Sequence, residues 1–203
     1  MTDEECRHLW DRVAAHAFPL DTQALTHVCL TARLDAHRAA IRSSGVAMPA
    51  DPDTESVHLH QTEAENDSTS IDHTMRRMAE AACLAYFLSL SEAPTETGAL
   101  VFLRQWIQTY SVAKSQQVAS YETGRGWDTG ILAVIGWLLQ GSGQGADTSA
   151  DMVVTVIPSG ASCDTCETYA GEVFEIDEAD TIPEFPIHPN CPHMKLVIPR
   201  NEV

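Results

Sequence analysis

Apolar residues recur at helical spacing in five stretches of the first 140 positions, and beyond residue 150 the period changes to that of strands. Thr2 and Glu5 have the spacing of a capping box and predict a helix over 3–17, with Leu9, Trp10, Val13 and Ala17 on one side and Pro19 ending it. Asp21 is placed to cap a second helix carrying Leu25, Val28, Cys29, Ala32, Ala36 and Ala39, closed by Ser43, Ser44 and Gly45. Helical spacing returns over 71–90, through Met75, Met78, Ala82, Ala85 and Leu88. It returns again over 98–121, with Leu100, Leu103, Ile107 and Val112, and over 128–139. The glycines of 141–145 and the polar residues to Asp151 read as a hinge; they follow a helix and lack the Lys-Ser/Thr of a phosphate loop. Three β-rich runs then follow at 152–157, 171–176 and 194–198. The expected fold is α+β, a mainly helical body over 1–145 and a small β module over 146–203.

Residues 45–70 break this pattern. They hold Pro49, Pro52, many acids, Ser and Thr, and few apolar side chains, so they read as a mobile loop or an arm that orders on a partner. His58 and His60, near Glu63 and Glu65, read as solvated polar residues of that loop rather than metal ligands.

Charge narrows the function classes. Twelve Lys and Arg against 29 Asp and Glu give a formal charge of −17, and residues 146–203 alone account for −9. Such a surface repels phosphate backbones, so direct nucleic-acid binding is not expected. No apolar run is long enough to span a bilayer, and the Met-Thr-Asp-Glu-Glu start lacks the regions of a signal peptide. Together these point to a reducing compartment, in which close cysteine pairs are metal ligands or redox centres more often than structural disulfides. Cys6, Cys29 and Cys83 stand alone on apolar helical faces and read as small core residues.

The remaining three cysteines form the most informative pattern. Cys163 and Cys166 follow the first β-rich run, after the turn residues of 158–160, and His188, Cys191 and His193 lie downstream among Pro183, Pro186, Pro189 and Pro192. Thiolate and imidazole are the preferred donors of tetrahedral zinc, and ligands two or three residues apart let one tight turn place both on the ion. Five candidates compete for four positions. Cys163, Cys166 and Cys191 are taken as three; His188 is favoured as the fourth, with His193 as an alternate or supporting ligand. A small sheet with little apolar content gains from such a staple, so the expected cofactor is structural zinc.

Other chemistries fit less well. A thioredoxin-like site needs its C-x-x-C at a helix start within a βαβ unit. A zinc deaminase needs His-x-Glu, and no histidine here has Glu two places on. Paired cysteines at ligand spacing argue against a lone nucleophilic thiol. A zinc-dependent nuclease or other hydrolase remains as the enzymatic alternative, opposed for DNA by the acidic surface. A generic zinc-binding interaction module is the third class.

The order of strand, Cys163-x-x-Cys166, Gly171 before Val173 and Phe174, His188-Pro-Asn-Cys191 and Leu196-Val-Ile-Pro199 resembles the C-terminal region of phage head-morphogenesis, or minor head, proteins typified by protein F of phage Mu. The resemblance covers about residues 150–200, a quarter of the chain. His193 stands where the family has its final Cys, and Pro192 where it has Arg. Lys114 and Gln116 replace the Arg and Glu of the preceding helix. The resemblance implies a structural virion component rather than an enzyme. It would be made in the host cytoplasm during assembly, with the portal protein, the major capsid protein or a further copy of itself as partner.

Overall fold

The computed structural model of the chain describes residues 2–18, 20–140, 151–157, 164–188 and 191–203. The fold is α+β. Four helices, α1 (Asp3–Ala14), α2 (Thr22–Ser43), α3 (Thr54–Ser89) and α4 (Glu96–Leu139), precede β1 (Met152–Ile157), the single-turn α5 (Asp164–Glu167), β2 (Val173–Glu175) and β3 (Met194–Pro199). Local capping explains the helix starts. The Glu5 amide donates to Thr2 Oγ1 and the Thr2 amide to Glu5 Oε2, at 3.3 and 2.7 Å. Asp21 accepts from the Ala24 amide at 2.9 Å, and Asp53 from the Ser56 amide at 2.8 Å. Residues 15–17 leave α1 as a turn, so the helix ends before the expected position 17. Pro19, the 141–150 hinge, the 158–160 turn, Cys163, Pro189 and Asn190 lie outside the described residues.

Two expectations are corrected. Residues 54–70, read as a mobile loop, form the first half of α3. Its inward stripe is His60, Ala64, Ser68, Met75, Ala79, Cys83 and Phe87, mostly four residues apart and all buried. The first three are polar or small, so the apolar signal fades although the helical period persists. His60 is accordingly a core residue rather than a solvated one. Helix α4 is the second correction, because it continues through 122–127, where a break was expected. There Glu122 is buried in an ion pair with Arg33 of α2, and Gly126 lies so close to α2 that a Cβ would overlap the Arg33 backbone.

The chain forms two compact units, one of Met1–Val28 with Glu63–Gln116 and the other of Cys29–Thr62 with Gln117–Val203. In the first, Cys6, Leu9, Trp10, Val13 and Phe18 pack with Met75, Ala79, Cys83, Phe87, Ala99 and Leu103. Cys6 and Cys83 are core residues, as is Cys29 in the second unit. A groove of about 250 Å³ beside this core is lined by Leu20, Leu100 and Ile107, but its polar rim of His16, Arg104 and Gln108 is exposed.

In the second unit the sheet has the order β2-β1-β3, all neighbours antiparallel, with Val154 opposite Phe174 and Val197. The central strand buries Val153, Val154 and Val156 completely. Val154 and Val156 join Ile131, Val134, Ile135 and Leu138 of α4 and Ala40 and Ile41 of α2 in one core that also contains Cys166 and Cys191. Burying each large aliphatic side chain is worth roughly 1.5–3 kcal/mol, so this core carries the module. Gly171, at φ 80°, turns the chain into β2 while its amide donates to the Val156 carbonyl at 2.8 Å.

Two glycines of α4 make a paired test. Gly136→Ala, with open space at the Cβ position, is expected to stabilise the protein by about 0.5–1 kcal/mol through helix propensity. Gly126→Ala is expected to destabilise it by about 1–3 kcal/mol despite the same gain in propensity, because α2 must move away. Urea denaturation midpoints at constant slope distinguish the two.

Candidate metal centre

The site lies where two ligand-bearing turns meet beside β1. One is α5, whose single turn buries Cys166 and is closed by the Tyr169 amide donating to the Cys166 carbonyl at 3.2 Å. The other is the segment before β3, where the Cys191 amide donates to the His188 carbonyl at 3.0 Å. His193 immediately precedes Met194, which pairs with Ile157, so strand pairing fixes its position.

These turns bring residues 25 positions apart into contact. Cys166 Sγ lies 3.4 Å from Cys191 Sγ and 3.1 Å from His188 Nε2, and Cys191 Sγ lies 3.8 Å from His193 Nδ1. Cys166, Cys191 and His193 each offer a donor atom within 4.8 Å of the other two, and all three are buried. The buried group could hold a metal ion. Two sulfurs each about 2.3 Å from a tetrahedral ion stand roughly 3.8 Å apart, so the observed separations need little adjustment. The Nε2 of His193 is buried with no hydrogen-bond partner among the described residues. His188 is half-buried against Cys166, while Cys163 falls outside the described residues.

A second set of residues holds the ligand turns in place, and of it only Pro186 was singled out from sequence. Trp127 of α4 donates its indole N–H to the Lys195 carbonyl at 2.8 Å. The Lys195 ammonium, buried on β3, sits 3.0 Å from Asp128 Oδ1 of α4, an ion contact rather than an aligned hydrogen bond. It also lies 5.9 Å from the centre of the Phe185 ring, which in turn lies 6.3 Å from the His193 imidazole and 6.5 Å from the Tyr169 ring between centroids. Burial raises the Asp128 carboxyl above its ordinary range, and the Lys195 charge and the Phe185 amide pull it back. Arg125 pairs with Glu184, and Gly124 faces the Pro186 ring. Helix α4 therefore grips both β3 and the segment that carries His188 and Cys191. The sequence signal was present: Lys195 occupies an inward position of a strand, and a charge there needs a buried counterion.

Comparison with family models, with curated proteins and with solved structures gave no match to the chain. No described helix is long and apolar enough to cross a membrane.

Removing one member of the Asp128–Lys195 pair leaves the other charge buried alone. Asp128→Ala and Lys195→Ala are each expected to cost about 3–5 kcal/mol of unfolding free energy, whereas Asp128→Leu with Lys195→Met should recover most of that loss. A double-mutant cycle in urea measures the coupling.

Proposed function

We propose that the chain is a structural protein of phage head assembly, of the minor head class its C-terminal residues resemble, and that its C-terminal module is stapled by zinc. The observation that carries the reading is the meeting of Cys166 with Cys191 and His193, since the resemblance rests on those residues serving one centre. Thiolate and imidazole donors together suit zinc better than the oxygen-seeking cations. The burial of all three favours a closed structural site over a catalytic one, which keeps a position open to water or substrate. Cys166 and Cys191 would supply sulfur, and His193 nitrogen. His188, beside Cys166, is the further described donor. Bound zinc would hold the ligand turns together; the fold's own residues position those turns.

The acidic surface supports docking on a basic face of a portal or capsid protein, with association strengthened at low salt. As expected outcomes, purified protein contains about one equivalent of zinc, and Cys166→Ser or Cys191→Ser loses both the metal and the folded module, because structural zinc contributes on the order of 10 kcal/mol in such domains. Metal analysis with circular dichroism reads this out. A folded, metal-bearing Cys191→Ser protein would refute the staple. Cosedimentation with portal rings, weakening as salt rises, tests the assembly role; no association at low salt argues against it.

A further inference from the structure

Two imidazoles apart from the metal centre face each other inside the second unit. His37 of α2 and His60 of α3 are 1% and 0% exposed. Their rings meet edge to face, with centroids 5.2 Å apart, and His37 Nδ1 lies 3.1 Å from His60 Nε2. One hydrogen fits between those nitrogens, so one ring donates and the other accepts; protonating both rings would set N–H against N–H. The other nitrogen of His60, Nδ1, is buried with no hydrogen-bond partner among the described residues. An added proton there would have no acceptor to receive it.

The surrounding charges offer little compensation. Arg33 and Arg38 face the pair from α2, Asp53 from the start of α3, and Arg125 from α4. Each of these arginines has its own carboxylate partner: Glu122 of α4 for Arg33, Asp35 and Asp51 for Arg38, and Glu184 for Arg125. Asp53 is exposed and accepts from the Ser56 amide as the helix cap. A proton entering the pair therefore adds positive charge to a buried space already flanked by guanidinium groups.

We propose that the His37–His60 pair is an acid-sensitive latch, holding the first turns of α3 against α2 only while both rings are neutral. Burial lowers the His37 imidazole below its ordinary range. Burial, His37, Arg33 and Arg125 together bring His60 down to about 4. Rings released to solvent take up protons near the ordinary histidine value of about 6.5. The open state thus binds more protons than the closed one between those limits. Stability from the latch is complete above about pH 6.5 and is lost as pH falls toward 4. Each proton taken up on opening multiplies the opening equilibrium about tenfold per pH unit, or about 300-fold for His60 across the whole window.

The test is amide hydrogen exchange of residues 58–62 between pH 7.5 and 4.5, corrected for intrinsic rates, with residues 153–156 of β1 as the reference in the same samples. Imidazole nitrogen NMR follows the rings in parallel. Protection of 58–62 is expected to fall about tenfold per pH unit below 6.5 while that of β1 holds, and His60→Gln flattens the profile. Equal loss in both segments would instead indicate acid release of a metal or global unfolding, and would overturn the latch. So would a profile unchanged in His60→Gln, or rings that titrate near 6.5 with no loss of protection. Should His60→Gln fail to fold, the wild-type comparison of the two segments decides by itself.

Discussion

The Lys195 ammonium, buried on an edge strand against Asp128, is the contact on which the rest of the C-terminal module depends. A lone charge in that position would cost several kcal/mol, so β3 and α4 pair these two groups or do not pack. Once they do, the Lys195 carbonyl is within reach of Trp127, and Phe185 is held between Lys195 and His193. The segment carrying His188 and Cys191 is drawn to the same helix through Arg125–Glu184 and Gly124–Pro186. Ligand convergence is thus supported by the contacts that α4 makes around the ligand turns. A bound ion would tie together the turns that the helix draws near.

Much of this architecture was legible in the chain, and for physical reasons. Capping residues announced themselves because an amide at a helix start needs an oxygen acceptor, and Thr2 and Asp21 supply one. The three strands were visible because β-rich runs stand out against a helical body. The convergence of Cys166, Cys191 and His193 was foreshadowed by knuckle spacing, which reports local geometry. Hidden were the contacts whose meaning depends on a distant partner. His60, Ala64 and Ser68 look like loop residues until a helix packs over them, and Glu122 looks solvated until Arg33 is beside it. A period made of small and polar residues carries the same phase as one made of leucines, with less hydropathy to reveal it.

The same distinction separates the two cores. The first unit's core cluster consists of aliphatic, aromatic and thiol side chains, whose burial is non-directional. Among the described residues, the second adds buried polar pairs to its apolar cluster, each joining different elements. Arg33–Glu122 ties α2 to α4, His37–His60 ties α2 to α3, and Asp128–Lys195 ties α4 to β3.

Such pairs contribute little net stability, because desolvation offsets most of their attraction, but they penalise misalignment heavily. Sliding one helix by a turn moves its side chains about 5.4 Å and separates every pair that helix makes, stranding polar groups in an apolar interior. Positioning matters most in the unit that must bring a cysteine on α5 to within a few ångströms of a cysteine and a histidine on another segment. A metal centre tolerates displacements well below one helical turn. The polar pairs therefore set the register of α2, α3, α4 and β3 to the accuracy that the Cys166, Cys191 and His193 group requires. Those pairs differ in what can undo them: the Arg33–Glu122 contact persists across ordinary pH, whereas the imidazole pair gains buried charge on protonation and loses its shared hydrogen bond once both rings carry a proton. The imidazole pair thus makes the joint between α2 and α3 acid-sensitive.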